Sequence, residues 1–505
     1  MANFAFCNKC RETVPARHVV QNGKVYLLKK CPKCGDNETL ISSDAEAYKK
    51  KFDVMGELIY EGCRLNCLEC THKAPNIAFV ELTNRCNMNC PICITNVPSM
   101  GFEFEPDMEY FRLIFENLSN LDPRPSVQLF GGEPTVREDL FDIIRLAKSY
   151  GLSVRVVTNG LKLADRNYCE KLVEEGVSVL ISFDGFNKKM YEMFRGMPEA
   201  LELKLKALEN LAHRKKGKVI LMTVASKEQD NEDLKKLFDY CVKNKKITRG
   251  IFIMPLAHMW SPDRLDYNPE RTTPEDVEHM VNDAVGGGVE FVPLGSLDTK
   301  VFNKVLKLKE MPFVGVHPNC ESITILVSDG KRLFPVSRFL KKGLFNLVGD
   351  LRKVGNEISR HKKIGFLFKI KVYLAILNIL FSNFSFENAV GRKGLSAFLR
   401  WVKIISRVLL GHKLKDVIRE ETDMKGALQI MVLPFEDYDT TEAVRLKMCT
   451  SSFVYPENRD GDVKYIPVCA WERHKKKVMK DIAEKFNKPG FNKGLSREKN
   501  VAEKV

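Results

Sequence analysis

Three cysteines spaced C-x3-C-x2-C, at Cys86, Cys90 and Cys93, constrain this chain more than any other feature of its sequence. Cysteine thiolate is the usual ligand of iron–sulfur clusters, and three thiolates on one tight loop can bind three irons of a cubane. The fourth iron then has no protein ligand and is open to chemistry. The alternative for such a motif is a zinc knuckle with one ligand missing. The spacing predicts a 4Fe-4S cluster with these three cysteines as catalytic metal ligands.

Strand and helix patterns alternate from residue 77 onward. Short β-branched, apolar runs are typical of buried strands, and apolar residues repeated every three to four positions are typical of helices. Because the strands are apolar throughout, the pattern predicts a parallel sheet covered by helices, an α/β fold. The predicted strands are 77–82, 127–130, 154–157, 177–183, 219–224 and 251–254, and the clearest predicted helices are 108–118, 140–149, 201–212 and 234–243.

Small and polar residues cluster where three of the predicted strands end. The sequence GGEPT follows the second strand, TNG follows the third and SFDG follows the fourth. Glycines let a ligand approach the backbone closely, and a carboxylate suits a cationic group. Asp184 also fits the N-cap of the next helix. The carboxyl ends of parallel strands meet at one edge of a sheet, so we expect the motif residues there to lie close together. They are Gly131, Gly132, Glu133, Thr158, Asn159, Ser182 and Asp184.

In this order, the cysteine loop and the strand-end motifs resemble the radical S-adenosylmethionine (radical SAM) superfamily. The resemblance implies a partial (β/α)6 TIM barrel. It implies that the open iron chelates the amino and carboxylate groups of SAM, and that an electron from a donor such as ferredoxin or flavodoxin cleaves SAM to a 5′-deoxyadenosyl radical. The strand-end residues named above are then SAM-binding residues. Ile92 departs from the family, which usually has an aromatic residue at this position.

The N-terminal region contains two CxxC pairs, Cys7 with Cys10 and Cys31 with Cys34. Two such pairs are typical of rubredoxins and zinc ribbons, in which four thiolates surround one ion. The spacing predicts a mononuclear four-cysteine site and leaves iron and zinc open. Ten of the fifteen cysteines lie in the first 93 residues, and no export signal precedes them. That distribution indicates metal ligands in a reducing compartment rather than disulfides.

Another C-x3-C-x2-C motif lies before the loop at Cys86 and consists of Cys63, Cys67 and Cys70. No strand-like run leads into it, and the strand–helix alternation begins only afterwards. We therefore assign it to an auxiliary cluster rather than to the SAM cluster. His72 is a candidate fourth ligand, and the alternative is a surface or supporting residue.

Five isolated cysteines remain. Cys320, Cys449 and Cys469 lie in the C-terminal region, where radical SAM enzymes often carry a further cluster. We predict that these three bind a third 4Fe-4S cluster, although an isolated cysteine is most often a small buried hydrophobe. We interpret Cys169 and Cys241, on predicted barrel helices, as packing residues.

Most of the net positive charge comes from one segment. Residues 339–419 hold 17 lysines and arginines against 4 acidic residues, in a chain of formal charge +15. Residues 366–381 and 395–410 combine apolar and aromatic side chains with cations, as helices in a membrane interface do. One alternative is that these helices simply cap the barrel. The other is a nucleic-acid surface, but the segment offers apolar stripes more than the exposed aromatic platforms that nucleic-acid binding uses. No uninterrupted apolar run is long enough to span a bilayer.

These features divide the chain into five predicted parts. They are a four-cysteine metal domain at 1–50, an auxiliary-cluster segment at 51–76, the barrel at 77–290, an α-rich extension with a cluster and a basic amphipathic region at 291–475, and a flexible tail at 476–505. We predict a cytoplasmic protein, peripheral on the inner face of the membrane.

The whole layout is similar to archaeal radical SAM proteins that include the tetraether lipid synthases. That resemblance implies hydrogen abstraction from unactivated lipid tails and carbon–carbon coupling of two ether-lipid chains, with ether phospholipid as the substrate. The same group is also assigned to methylation of a dihydropterin, which is the alternative function. A second alternative, outside enzymes, is a metal-stapled nucleic-acid-binding protein.

Overall fold

Two sheets organise the chain, a four-stranded antiparallel sheet and a twelve-stranded mixed sheet. The computed structural model describes residues 3–55, 63, 65–70, 72–95, 100–213, 218–244, 247–260, 264–265, 268–296, 299–306, 316–361 and 364–491.

The N-terminal module is a small antiparallel sheet with one helix packed on it. Asn22 and Gly23 both adopt positive φ in the hairpin between its second and third strands, as a tight two-residue turn requires. Ala5, Leu27 and Tyr48 belong to its small core. Its elements are β1 (Asn3–Phe6), β2 (Thr13–Gln21), β3 (Lys24–Cys31), β4 (Gly35–Ser42) and α1 (Ala45–Met55).

Six parallel strands form the barrel-like centre, and all six predicted strands are confirmed. They are β5 (Ile77–Glu81), β6 (Ser126–Phe130), β7 (Ser153–Thr158), β8 (Ser178–Ser182), β9 (Lys218–Ala225) and β10 (Thr248–Pro255), each paired with the next. The helices between them are α2 (Met108–Ser119), α3 (Leu140–Ser149), α4 (Arg166–Glu174), α5 (Lys188–Met190), α6 (Ala200–His213) and α7 (Asn231–Lys243).

The C-terminal extension contributes strands to the same sheet, in addition to its predicted helices. β14 pairs in parallel with β10, and β15 pairs in parallel with β5, so the extension flanks the six strands on both sides. The elements that follow β10 in the chain are α8 (Pro274–Val285), β11 (Val292–Pro293), α9 (Thr299–Leu306), β12 (Ser322–Ser328), β13 (Leu333–Pro335), α10 (Leu344–Arg360), α11 (Phe366–Asn383), α12 (Phe386–Val390), α13 (Gly394–Leu409), α14 (Leu414–Glu421), β14 (Gly426–Val432), α15 (Ala443–Met448), β15 (Ser451–Pro456), β16 (Val463–Pro467) and α16 (Val468–Phe486).

A buried ion pair fastens the N-terminal module to the barrel. Lys51 on α1 lies 2.7 Å from both Glu275 and Glu278 on α8, and all three side chains are buried. Burial alone would lower the pKa of Lys51, but the two carboxylates raise it above its usual value. Removing one partner of such a pair leaves uncompensated buried charge. The module is therefore held against the barrel by charge as well as by packing.

Helices α11 and α13 expose large apolar side chains. Phe366, Leu374 and Phe398 are 77%, 61% and 63% exposed. α11 is long and apolar enough to cross a membrane by length and composition, and 17% of it is buried. The sequence predicted no spanning segment because Lys369 and Lys371 interrupt its apolar runs.

The cations on α13 are engaged within the protein. Arg400, Lys403 and Arg407 all form ion pairs with Glu421, at 2.7 to 2.8 Å. Glu421 is buried, so these pairs tie α13 to α14.

The end of the chain departs from a simple flexible tail. The sequence predicts flexibility from residue 476, but α16 continues to Phe486, whose ring is fully buried against Tyr110. Residues 492–505 lie outside the described residues.

Candidate active site

One cavity of about 260 Å³ brings together most of the predicted site residues. Side chains from β5 to β10 line its wall, including Phe79, Phe130 and Phe252. The three-cysteine loop follows β5, whereas Cys449 precedes β15, whose first residue pairs with Ile77 at the start of β5. The cavity therefore extends along β5 from the cysteine loop towards the C-terminal cysteines.

Cys86, Cys90 and Cys93 all face this cavity. Burial, with smaller contributions from Glu133, Cys90 and Cys93, raises the pKa of Cys86 to about 12. Burial also raises the pKa of Cys90, so these two thiols need a cation to hold them as thiolates. This donor set fits an iron–sulfur cluster, and the predicted convergence of the three cysteines agrees with the geometry.

The two glycines after β6 permit close docking against the cysteine loop. A Cβ on Gly132 would lie 2.3 Å from the carbonyl oxygen of Arg85, one residue before Cys86. A Cβ on Gly131, whose φ is +148°, would lie 2.5 Å from the carbonyl oxygen of Thr83. Without a Cβ, the backbone of this segment hydrogen-bonds to the segment before the cysteine loop: the Gly132 N–H donates to the Thr83 carbonyl at 2.7 Å. The glycines are therefore required for this contact as well as for ligand approach.

Glu133 connects the ends of β6 and β7. Its carboxylate accepts hydrogen bonds from the Thr158 hydroxyl and the Asn159 backbone N–H, both at 2.6 Å, and from the Thr135 hydroxyl at 2.6 Å. The Asn159 side-chain amide in turn donates to Asn87, inside the cysteine loop, at 2.7 Å. The predicted residues at both strand ends thus form one hydrogen-bonded frame around the loop.

Asp184 lies behind the cavity rather than on its wall. It forms a bidentate pair with Arg195 at 2.7 and 2.8 Å, and Arg195 reaches the cavity beside Cys90. Asn187, not Asp184, caps the following helix. The Lys204 ammonium donates to the Ser182 hydroxyl at 2.9 Å, and burial lowers the pKa of Lys204 to about 8. No sequence pattern pointed to Arg195 or Lys204.

Ile92 and its neighbours form an apolar wall beside the cysteine loop. Ile92 is buried, faces the cavity and belongs to a cluster with Met190, Phe194, Leu256 and Leu265. Ile92 thus packs against both aliphatic and aromatic side chains, Phe194 among them.

The N-terminal cysteines meet the geometric demand of a single-ion site. The four sulfurs of Cys7, Cys10, Cys31 and Cys34 lie within 4.8 Å of one another, and the Cys10 and Cys31 sulfurs are 3.6 Å apart. Zn–S bonds of about 2.3 Å in a tetrahedron place sulfurs about 3.8 Å apart. The predicted four-cysteine site therefore fits one tetrahedral ion.

The auxiliary motif lies beside the last helix. Burial, with smaller contributions from the neighbouring Cys63 and Cys70, raises the pKa of Cys67 to about 12. The Nε2 atoms of His72 and His474 are both buried without a hydrogen-bond partner among the described residues. Burial, with smaller contributions from the charges of Arg473 and His72, lowers the pKa of His474 to about 4. The structure thus adds His474, on α16, as a second candidate for the fourth ligand. Nothing in the sequence pairs it with this motif.

The C-terminal cysteines Cys320, Cys449 and Cys469 all face the main cavity. Burial, with a smaller contribution from Cys320, raises the pKa of Cys449 to about 12. The Arg445 Nε donates to the Cys320 sulfur at 3.4 Å. The structure therefore brings together three cysteines that are 129 and 20 positions apart in sequence. Cys169 and Cys241 are instead buried in the main core, as predicted.

Comparison with known proteins agrees with this layout. Residues 80–241 match the model of the radical SAM superfamily, and residues 4–43 match that of the HMPTM N-terminal zinc ribbon domain. The chain is 29% identical, over 96% of its length, to the 7,8-dihydro-6-hydroxymethylpterin dimethyltransferase of Methanocaldococcus jannaschii, of which it covers 95%. It is 31% identical, over 34% of its length, to Fe-coproporphyrin III synthase of Methanosarcina barkeri, of which it covers 42%.

Among solved structures, SuiB of Streptococcus suis bound to S-adenosylmethionine overlaps 63% of this chain and 78% of its own, with 14% identity and a TM-score of 0.34. At this score the overlap carries no argument of its own.

Proposed function

We propose that this chain, a radical SAM enzyme with an N-terminal zinc ribbon, transfers methyl groups to carbon atoms of a reduced pterin. The observation that carries the proposal is the length of the similarity to the pterin dimethyltransferase, which covers 96% of this chain and 95% of the relative. The similarity therefore extends well beyond the barrel. It supports the alternative that the sequence offered, rather than the lipid coupling that the sequence favoured.

The cysteine loop and its frame perform the first task, which is to hold the cofactors. In this proposal Cys86, Cys90 and Cys93 bind the cluster, and Gly131, Gly132, Glu133, Thr158, Asn159 and Ser182 surround SAM. When bound, the cluster and SAM supply a 5′-deoxyadenosyl radical, which opens a C–H bond that no side chain is basic enough to deprotonate. Asp184 acts through Arg195, whose guanidinium it fixes beside Cys90.

The cavity wall suits a flat, partly apolar ring system. Phe79 and Phe130 meet edge to face, with ring centroids 5.7 Å apart, and Phe252 lines the same cavity. Aromatic and aliphatic walls with a few polar groups are typical of small-molecule sites. Such a wall packs against a bicyclic heterocycle and excludes water from a reactive carbon radical.

Product analysis tests this proposal. Anaerobically reconstituted protein, given SAM, a strong reductant and 6-hydroxymethyl-7,8-dihydropterin, is expected to form pterin products heavier by one or two methyl additions, detected by mass spectrometry. A diether phospholipid supplied in a parallel reaction is expected to remain uncoupled. A coupled lipid with an unmodified pterin would contradict the proposal and favour the second candidate.

Lipid coupling at a membrane surface remains the second candidate because of the exposed apolar helices. Phe366, Leu374 and Phe398 on α11 and α13 present a face that suits lipid tails. The ion pairs between α13 and Glu421 weaken this candidate, since they occupy the cations that the sequence assigned to phosphate headgroups.

A further inference from the structure

One carboxylate oxygen of Glu321 lacks a partner within the described part of the chain. This Oε2 atom is inaccessible to solvent and accepts no hydrogen bond there. Burying an uncompensated carboxyl group costs free energy, so such a group needs a hydrogen-bond donor or a cation. Nothing in the sequence analysis singled out this residue.

The position of Glu321 shows what it could bind. It faces the main cavity together with Cys320, Cys449 and Cys469. Cys320 is the residue directly before Glu321, so this thiol and the carboxylate extend from neighbouring backbone positions into the same cavity. Four potentially anionic groups therefore converge on one apolar cavity. Such a concentration of charge is unfavourable unless a cationic group compensates for it.

Arg445, the neighbouring arginine, is not sufficient by itself to compensate for the charge of these four groups. Arg445 donates to the Cys320 sulfur at 3.4 Å and lies 3.1 Å from Glu436. Its guanidinium is thus shared between one thiol and a different carboxylate. Within the described ranges no ion pair to Glu321 is formed, which leaves its carboxylate available to a metal.

The spacing of the four groups does not fit a single tetrahedral ion. Among the residues that the structure describes, Cys7, Cys10, Cys31 and Cys34 alone bring at least three ligand atoms within 4.8 Å of one another. The groups around Glu321 are therefore further apart than a tetrahedral ion requires. Ligands of an iron–sulfur cube bind different irons and stand correspondingly further apart.

We propose that Glu321 is the fourth protein ligand of a 4Fe-4S cluster whose other ligands are Cys320, Cys449 and Cys469. The inference rests on the proposed radical SAM chemistry and on the sequence-based prediction that Cys320, Cys449 and Cys469 bind a further cluster. A cluster with all four irons bound by protein has no open iron for SAM. This cluster would therefore serve electron transfer, and SAM cleavage would belong to the loop at Cys86. A carboxylate is also a harder ligand than thiolate, so it holds its iron less firmly.

Iron and sulfide analysis of full-length, reconstituted variants tests the proposal. Glu321→Ala is expected to lose about one iron per chain, because one corner of the cube loses its ligand, and to show the electron paramagnetic resonance signal of a three-iron cluster. Glu321→Cys is expected to keep the iron, with a Mössbauer spectrum altered at one site. Glu228→Ala, which removes an exposed carboxylate, serves as the control and is expected to match the unmodified chain.

The results for the Glu321 variants distinguish a carboxylate that binds the cluster from one that contacts the substrate. Unchanged iron content and spectra in both Glu321 variants would overturn the proposal. So would a Glu321→Ala variant that keeps its iron but no longer quenches the fluorescence of 6-hydroxymethylpterin, since Glu321 would then contact substrate. If Glu321→Ala fails to fold, the Mössbauer spectrum of Glu321→Cys decides. Iron is counted without pterin, so failure of the methylation reaction would leave this test unaffected.

Discussion

Replacing Gly132 by alanine is expected to lower the rate of SAM cleavage by about a hundredfold, the loss that a displacement near 1 Å can cause in a positioned site. The new Cβ would lie 2.3 Å from the Arg85 carbonyl oxygen and 2.8 Å from its carbon. Both atoms belong to the backbone just before Cys86, so neither can rotate away. The strand end and the cysteine loop must separate, and the frame around Glu133 must shift with them.

The measurement is the rate of 5′-deoxyadenosine formation under reducing conditions, alongside iron content. Gly349→Ala is the matched control, because a Cβ on Gly349 meets no atom within 4 Å and the residue lies inside helix α10. The control is expected to cleave SAM at the unmodified rate. Equal rates for Gly132→Ala and Gly349→Ala would show that the close docking of β6 on the loop is not needed.

Replacing Asp184 by asparagine is expected to destabilise the fold by about 3 to 5 kcal/mol, the cost of leaving one partner of a buried ion pair without the other. The side chain of Asp184 is fully buried and that of Arg195 is 12% exposed. Asp184 also accepts a hydrogen bond from the Val224 backbone at 3.1 Å, so it joins β9 to the segment after β8. Loss of its charge should also release Arg195 from its place beside Cys90.

The stability that the Asp184–Arg195 pair contributes is expected to fall as the pH falls. Burial alone would raise the pKa of Asp184, but the Arg195 charge and hydrogen bonds lower it below its ordinary value. This stabilisation is therefore present above the unfolded pKa of about 3.9 and is lost as pH falls through the folded value. Asp184→Asn should remove that contribution to acid sensitivity.

Urea midpoints followed by tryptophan fluorescence measure both effects. Asp142→Asn is the control, because Asp142 pairs with Arg145 on the exposed surface and such pairs contribute about 1 kcal/mol or less. A midpoint for Asp184→Asn as high as that of the control would contradict the assigned role of the buried pair.

The local parts of this structure could be predicted from the sequence. Strands β5 to β10 are mostly apolar, β-branched runs, and such runs identify buried parallel strands without knowledge of their neighbours. The cysteine loop, the glycine pair and the TNG turn are likewise contiguous motifs. Each of these motifs lies within a few residues of the end of a strand, so its position could be identified without knowledge of long-range contacts.

The long-range parts could not be predicted. Arg195 and Glu321 are single residues, and only the folded chain brings them to the cavity. The run that becomes β14 resembles any buried strand, and no periodicity shows that it pairs with β10 rather than with another strand. Asn187 and Asp184 are both reasonable N-caps, and the choice depends on Arg195, which draws Asp184 away.

The exposed faces of α11 and α13 illustrate a different limit. An amphipathic pattern identifies the apolar side of a helix but not what covers it. The sequence analysis also counted the cations of residues 395–410 toward a membrane interface, whereas Glu421 binds Arg400, Lys403 and Arg407. Charge counting over a segment therefore overestimated the charge available to a lipid surface.

The measurement that tests the central claim most directly is 5′-deoxyadenosine release from SAM by the reconstituted, reduced chain, compared with its Cys90→Ala variant. The account predicts that the unmodified chain forms 5′-deoxyadenosine and that Cys90→Ala forms none, although the variant keeps the metal of its N-terminal ribbon. No release from the unmodified chain, or equal release from both proteins, would contradict it.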